Sequence, residues 1–332
     1  MFVGRAAELQ LLHDRFAAAR GGHGALVLVS GEAGIGKTRL TDEFATGIGA
    51  RALVVRGEPG RSPAGAPGPT AWSPWNAVLR AWPSSAPQLP TGAAALALTP
   101  AARFALVDQT TRFLTAAASA QVLVVVLDDL HLADVASLVL LKFVARIVHE
   151  LPLLVLGLLQ ADPPDHERTT LLADARRSAK VVELAPLALA ELAAVVAHVQ
   201  GRPAPASFVA RLHHASGGNP MFALEVLAHD RNGTAVPPRV AAVVKAAVAG
   251  LAPAARRALG IAAQLGEEFD DALLRDHVGA DVAALAVEAA CGLQLMHPVG
   301  GAADRHGFRS PLVRQALALD GTGVHRWVTP AG

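Results

Sequence analysis

Apolar residues gather into short runs of strand length in the first part of the chain and take helical spacing in the second part. The runs predict five strands, at Ala25–Val29, Ala52–Arg56, Val122–Leu127, Leu153–Leu159 and Lys180–Leu184. Unbroken apolar runs are typical of parallel strands that are covered on both faces. Helical segments separate the runs, among them Arg39–Ala45 and a helix to about Ala118 that Thr99 caps and Pro100 begins. This alternation predicts an α/β fold with a doubly wound, mostly parallel five-stranded sheet.

Helical patterns dominate the chain beyond the fifth run. Gly201 can close the predicted helix Ala188–Gln200, and Asn219 with Pro220 has the cap and first-turn residues of a later helix. A hairpin is predicted near the end, over Leu295–Phe308. The other predicted helices are Ser207–Ala215, Val240–Val248, Pro253–Leu265, Ala283–Leu293 and Pro311–Leu319. These patterns divide the chain into a sheet domain (1–186), a helical segment (187–235), a winged-helix-like module (236–319) and a loose tail (320–332).

The composition is that of a globular protein and excludes several functional classes. Of the 332 residues, 52% are hydrophobic and 17% are charged, which argues against disorder. A net charge of +1 provides no electrostatic footprint for nucleic acid. The chain has no apolar stretch long enough for a membrane helix and no signal-peptide pattern at its start. The single cysteine, Cys291, excludes an internal disulfide and fits a reducing compartment, so a cytoplasmic location is expected.

The first stretch with recognisable chemistry lies at residues 25–38 and reads ALVLVSGEAGIGKT. Its glycines let the backbone curl so that N–H groups point at phosphate oxygens, with a helix N-terminus behind them. Lys37 can reach the β- and γ-phosphates, and the Thr38 hydroxyl can ligate Mg²⁺. A glycine-rich turn that binds nothing is the alternative, but the order strand, loop, helix argues against it. The residues predicted to hold a nucleotide here are Gly31, Gly34, Ile35, Gly36, Lys37, Thr38 and Arg39.

A second stretch with recognisable chemistry, QVLVVVLDDLHLAD at residues 121–134, places two carboxylates after a predicted buried strand. Burying such charges is costly unless a cation pairs with them, and ligands of nucleotide-binding sheets sit at this end of the strands. Asp128 is therefore the candidate for the Mg²⁺ side of the site, and Asp129 is placed to polarise an attacking water. The alternative is a pair of residues that merely cap the following helix.

The motifs together resemble those of the STAND-class P-loop NTPases. Within that class, the chain is similar to the AAA ATPase-like module of large ATP-binding LuxR-type transcriptional regulators. The resemblance covers about Phe2 to Leu319. It rests on the order and spacing of Gly4-Arg5 with Glu8-Leu9, the loop GEAGIGKT, DDLHLAD, Pro186-Leu187 and Gly218-Asn219-Pro220.

The resemblance implies a slow switch that binds ATP or ADP with Mg²⁺. Lys37 and Asp129 would be the catalytic residues, and Thr38 and Asp128 would hold the metal. Arg5 would contact the nucleotide, although its spacing from Glu8 equally suits a surface ion pair. ADP would hold the protein closed, and ATP with an unknown inducer or regulatory protein would open it for self-association.

The same resemblance implies that Pro220 packs on the adenine, as part of a helical lid over about residues 187–235. The segment from 236 to 319 would be the winged-helix-like module that closes over ADP.

Three positions depart from the family pattern. Gln160 stands where an arginine that senses the γ-phosphate is usual, Ser310 where a phosphate-touching histidine is expected, and Leu132 where tryptophan is common. Loss of the arginine should weaken transition-state stabilisation. The chain also ends soon after the last matching helix, so direct DNA binding by this chain is not expected.

Three functions follow as hypotheses. The first is an ATP-dependent regulatory switch, the second a non-catalytic nucleotide-binding scaffold, and the third a P-loop kinase of a small molecule. The departures at Gln160 and Ser310 are consistent with the scaffold, whereas the predicted lid and winged-helix module favour the switch. No acceptor site for a kinase is recognisable in the sequence.

Overall fold

A computed structural model describes residues 2–58, 71–160, 166–229, 236–300 and 304–318. The chain divides into two compact units. The first, called the sheet unit below, contains Arg5–Gly31 and Lys37–Leu184. The other, called the second unit, contains Met1–Gly4, Glu32–Gly36 and Ala185–Gly332.

The sheet unit is built on five parallel strands. They are β1 (Ala25–Ser30), β2 (Leu53–Gly57), β3 (Leu123–Leu127), β4 (Leu153–Leu159) and β5 (Lys180–Glu183). Their spatial order is β2-β3-β4-β1-β5, and every neighbouring pair is parallel. The predicted α/β fold with a five-stranded parallel sheet is confirmed. The order also places β4 between β1 and β3, although β4 follows both of them in the sequence.

Helices connect the strands of this sheet. They are α1 (Ala6–Arg20), α2 (Lys37–Ile48), α3 (Ser73–Leu79), α4 (Gly92–Leu96), α5 (Pro100–Ala120), α6 (Val135–Ile147) and α7 (His166–Ser178). The predicted start of α5 is confirmed, because the Thr99 hydroxyl oxygen accepts a hydrogen bond from the Ala102 N–H at 3.2 Å. The helix predicted from Arg39 begins two residues earlier, at Lys37.

The hydrophobic core explains why these elements form. The strands β3 and β4 are buried along their whole length, as their unbroken apolar runs require. Trp75 is fully buried near the start of α3, and its indole N–H donates a hydrogen bond to the Ser137 carbonyl oxygen at 3.0 Å. Asp134 caps α6 through the Ser137 N–H and also accepts from the Trp72 N–H at 2.9 Å. Residues 59–70, which precede α3 in the sequence, lie outside the described residues.

The second unit consists mainly of helices around a core of its own. They are α8 (Leu189–Gln200), α9 (Ala206–Ser216), α10 (Pro220–His229), α11 (Pro238–Val248), α12 (Pro253–Leu265), α13 (Asp271–Val278), α14 (Ala280–Gly292) and α15 (Pro311–Ala318). Three short strands, β6 (Glu268–Asp270), β7 (Met296–Pro298) and β8 (Arg305–Phe308), form an antiparallel sheet in the order β6-β8-β7. Leu259, Leu274 and Leu312 are among its fully buried core residues.

Most helices predicted for this unit are present with small shifts of their ends. Gly201 follows α8 with a φ of 70°, which suits a glycine that ends a helix. The predicted helix Ala283–Leu293 begins three residues earlier, at Ala280. Helix α13 and strand β6 were not predicted. The winged-helix interpretation and the proposed domain boundaries remain predictions, and the tail 320–332 lies outside the described residues.

The helices were compared with the length and hydropathy of membrane-spanning helices. In the part of the chain that the structure describes, no helix combines the length and the apolar character that crossing a bilayer requires.

Candidate nucleotide-binding site

The glycine loop between β1 and α2 has the backbone that its sequence predicts. Gly34 and Gly36 have φ angles of 80° and 106°, which side-chain-bearing residues rarely adopt. Lys37 is the first residue of α2, so the loop ends at a helix N-terminus. Ile35 is buried, whereas Arg39 lies exposed in the first turn of the helix. The predicted order of strand, loop and helix is thus present.

Lys37 is the buried cation of this loop. Its side chain is 6% exposed, and its Nζ donates a hydrogen bond to the Gly31 carbonyl oxygen at 2.8 Å. A buried ammonium group needs oxygen partners, and here one is supplied by the loop itself.

Thr38 and Asp128 meet across the carboxyl edge of the sheet. The Thr38 hydroxyl donates to Asp128 Oδ2 at 2.9 Å, although the two residues are 90 positions apart in the sequence. Burial raises the pKa of the Asp128 carboxyl above its ordinary value, and the neighbouring charge of Asp129 adds to the rise. The hydrogen bond from Thr38 opposes that rise. The Thr38 hydroxyl and the Asp128 carboxylate, two hard oxygen ligands, therefore lie together at a place where a cation would stabilise the ionised carboxylates.

Asp129 is held by the residue that follows β4. The Gln160 side-chain amide donates to Asp129 Oδ1 at 2.9 Å. His131 Nδ1 lies 3.9 Å from the same oxygen. Asp129 itself has a φ of 46°, an uncommon backbone conformation for a residue with a side chain, and one that is concentrated at functional sites. Neither the Gln160 hydrogen bond nor the approach of His131 was predicted from the sequence, because nothing in the local pattern of either segment indicates them.

In the second unit, Asn219 joins α10 to the tip of the glycine loop. Its Oδ1 accepts from the N–H groups of Met221 and Phe222 at 3.1 and 3.3 Å, which confirms the predicted cap, and Pro220 is the first residue of the helix. Its Nδ2 donates to the Ala33 carbonyl oxygen at 2.9 Å. A Cβ at Gly34 would lie only 2.7 Å from the Met221 Cβ, so this approach also requires glycine.

Other residues singled out by the sequence have structural partners. Arg5 forms an ion pair with Glu8 at 3.5 Å, the partner that its spacing allowed, but the Arg5 side chain is only 9% exposed, so this is not a surface pair. The Ser310 hydroxyl oxygen accepts from the Val313 N–H at 3.3 Å at the start of α15. Burial raises the pKa of the Cys291 thiol, consistent with an unreactive cysteine.

The first part of the chain matches the model of a known protein family. Residues 1–156 match the family model described as the AAA ATPase domain. This part of the chain is therefore similar to AAA-type P-loop ATPase domains. The matched range contains the glycine loop, Thr38 and both carboxylates of the Asp128–Asp129 pair. No match was found among curated proteins.

Solved structures with a similar fold match nearly the whole chain. The Walker-type ATPase PABY2304 of Pyrococcus abyssi is 15% identical with a TM-score of 0.59, and the match covers 95% of this chain and 96% of that one. The ORC2 protein of Aeropyrum pernix is 13% identical with a TM-score of 0.52, covering 95% and 94%. A STAND protein with a tetratricopeptide repeat sensor from Pyrococcus horikoshii, PH0952, is 15% identical with a TM-score of 0.41, covering 97% and 43%. At these identities the first two support a shared P-loop NTPase fold.

Two carboxylates of the sheet unit, Asp128 and Asp174, predict opposite effects of two matched substitutions. Asp128→Asn should raise the melting temperature of the ligand-free protein, because it removes a carboxylate whose ionised form is disfavoured by burial while an oxygen remains for Thr38. Asp174→Asn should lower it, because the hydrogen bond from Lys142 lowers the pKa of that carboxyl.

Thermal unfolding across pH tests both signs. The gain from Asp128→Asn should be greatest above the raised pKa and vanish on acidification, since the natural carboxyl then becomes neutral. The loss from Asp174→Asn should also fade as the pH drops through its lowered pKa. A lower melting temperature for Asp128→Asn at neutral pH would contradict this description of the site.

Proposed function

We propose that this protein is an ATP-binding signal-transduction NTPase that acts as a nucleotide-dependent regulatory switch. The observation that carries the proposal is the hydrogen bond from Thr38 to Asp128, which joins the end of the glycine loop to the end of β3. In this proposal Lys37 binds phosphate, Thr38 and Asp128 hold the metal, and Asp129 orients the attacking water. Gly31, Gly34, Ile35, Gly36 and Arg39 complete the phosphate contacts, and Arg5 contacts the nucleotide.

The donor set fits magnesium. A threonine hydroxyl and one carboxylate are the hard oxygen ligands that Mg²⁺ takes from proteins, the rest coming from water and substrate phosphates. When bound, Mg²⁺ would neutralise charge on the nucleotide phosphates.

The switch hypothesis draws support from the loop tip. The Asn219 amide holds the Ala33 carbonyl oxygen, so a change in loop conformation on nucleotide binding would act directly on the start of α10. Pro220, the first residue of that helix, would then pack on the adenine as part of the lid. The relation to the STAND class, and to LuxR-type regulators within it, rests on the order of motifs along the chain. By that relation, the ATP state would self-associate in response to an inducer.

A non-catalytic scaffold is the second candidate function, and the Gln160 contact favours it. The amide of Gln160 carries no charge and is engaged with Asp129, so the site has a neutral donor where relatives of the proposed class carry an arginine. We therefore expect hydrolysis to be slow. A small-molecule kinase is the third candidate, and no contact in the structure favours it over the other two.

Lys37→Ala should abolish nucleotide binding. The substitution removes the charged donor at the loop. The loss of two charge-assisted hydrogen bonds to phosphate costs about 3 kcal/mol of binding free energy, which lowers the affinity roughly 100-fold. Calorimetric titration with ATP and ADP in the presence of Mg²⁺ measures the effect. Lys142→Ala, which removes a lysine paired with Asp174, is the matched control and should bind as the natural protein does. Equal affinity of the Lys37→Ala and natural proteins would refute the site.

Pro220→Ala should weaken ATP binding severalfold through loss of its proposed packing on the base. Pro253→Ala is the matched control, because Pro253 also occupies the first position of its helix, α12. Titration calorimetry, with helix content checked by circular dichroism, compares the two variants. If both bind ATP with the affinity of the natural chain, Pro220 is not part of the site.

Gln160→Arg should speed hydrolysis by the isolated chain. A cation at this position would neutralise charge on the transferred phosphoryl group, and one preorganised donor commonly changes the rate about 10²–10³-fold. An arginine from a neighbouring subunit could do the same in an assembly. Single-turnover hydrolysis at saturating protein is the measurement. Brisk turnover by the dilute natural chain, unchanged in the variant, would show that Gln160 does not face the γ-phosphate.

A further inference from the structure

His131 is a buried polar side chain that the proposed mechanism leaves without a role. It lies in the short helical turn after Asp129, and its side chain is only 15% exposed. Its Nδ1 is inaccessible to solvent and has no hydrogen-bond partner among the described residues. Leaving such a nitrogen unpaired costs about 1–3 kcal/mol, so a conformation in which it is paired should be accessible.

An acceptor close to this nitrogen, the Asp129 carboxylate, already accepts another hydrogen bond. Asp129 Oδ1 lies 3.9 Å from His131 Nδ1 and 2.9 Å from Gln160 Nε2, from which it accepts a hydrogen bond. A shift of the carboxylate by about 1 Å towards the imidazole would bring the first distance into hydrogen-bonding range. The same oxygen therefore faces two donors, of which one is engaged.

Burial is the main reason that the neutral form of the His131 imidazole is favoured. Burial lowers the pKa of His131, as do the charges of Lys37 and Arg168, while Asp129 opposes them. A neutral ring carries one N–H, and Asp129 is the acceptor that would favour its placement on Nδ1.

The backbone around Asp129 lets the side chain move independently of the chain. Its carbonyl oxygen accepts from the Leu132 N–H at 2.8 Å, and its own N–H donates to Asp128 Oδ1 at 2.9 Å. Because these hydrogen bonds hold the backbone, the exchange that we consider is a rotation of the Asp129 side chain, which moves Oδ1 from the Gln160 amide towards His131 Nδ1.

We propose that His131 is a positioning residue that takes over the carboxylate of Asp129 when Gln160 releases it. The inference rests on the proposed function and adds to it that the γ-phosphate of bound ATP draws the Gln160 amide away from Asp129. His131 Nδ1–H then donates to Asp129 Oδ1, which leaves Oδ2 directed at water. No proton is transferred in this exchange. Without His131, the released carboxylate would have no fixed orientation.

The exchange can be tested first without any nucleotide. In ¹⁵N-histidine-labelled protein, the His131 ring signals are assigned by their absence from His131→Leu. Substitution Gln160→Leu removes the competing donor, so Asp129 should turn to His131 and the Nδ1 resonance should move towards that of a hydrogen-bonded N–H. Gln10→Leu is the control, because the Gln10 amide also donates to an aspartate, Asp14, at 2.8 Å. An unchanged His131 signal in Gln160→Leu would overturn the proposal.

The second test measures turnover with γ-labelled ATP at excess protein. His131→Leu should lower the single-turnover rate about tenfold while ATP affinity, measured by calorimetry, stays within twofold of the natural value. His131→Asn should restore most of the rate, because its amide can donate from nearly the position of Nδ1. His149→Leu, at an exposed histidine, should leave the rate unchanged. Equal rates for His131→Leu and the natural protein, or no rescue by asparagine, would overturn the role of His131.

The two tests separate this inference from the function on which it rests. Absence of ATP binding by the natural protein would refute the proposed function, and the nucleotide-free spectra would still report whether His131 competes with Gln160. Normal ATP binding combined with an unmoved His131 signal would refute the inference and leave the proposed function standing.

Discussion

The arrangement of the sheet unit depends on how charges are accommodated at the carboxyl edge of a buried parallel sheet. Lys37 is almost fully buried against a loop carbonyl, and Asp128 is partly buried beside a second carboxylate. Burial by itself disfavours the charged forms of such groups. Such groups are retained where a ligand of complementary charge completes them, and strand ends in open α/β sheets are where such ligands bind. Thr38 is exposed and follows Lys37 directly, and its hydroxyl donates a hydrogen bond to Asp128, so it lies between the buried cation and the carboxylates.

The strand order makes this meeting possible. Strand β4 lies between β1 and β3, so the residues that follow these three strands come to one edge of the sheet. Gln160, which follows β4, can therefore reach Asp129, which follows β3. Asp129 Oδ1 accepts a hydrogen bond from Gln160 and lies 3.9 Å from His131 Nδ1. In our proposal the carboxylate can therefore turn from one side chain to the other.

The sequence predicted the strands and the main helices well because each has a local cause. Buried strands need unbroken apolar runs, Thr99 and Asn219 can bond the free N–H groups of a first helical turn, and Pro220 suits a first helical position. Short elements such as α13 and β6 were missed because so few residues carry no clear periodicity. The strand order was also not predicted, since it depends on crossovers that the chain order does not encode.

The site could be predicted as a set of residues and not as a set of contacts. Thr38 and Asp128, 90 residues apart, and Asn219 and Ala33, 186 residues apart, meet only through the tertiary fold. Gln160 was expected to face a phosphate by resemblance alone, and its hydrogen bond to Asp129 is a property of this particular side chain.

The central claim is that Thr38 and Asp128 hold the metal of a bound nucleotide, and Mn²⁺ in place of Mg²⁺ tests it most directly. Electron paramagnetic resonance counts free Mn²⁺ during titration of the protein with and without ATP. The account predicts that one Mn²⁺ is retained per chain only when ATP is present, and that Thr38→Val, which keeps the shape of the side chain and removes its oxygen, weakens this retention at least about tenfold. Retention of Mn²⁺ without nucleotide, or equal retention by Thr38→Val, would contradict the account.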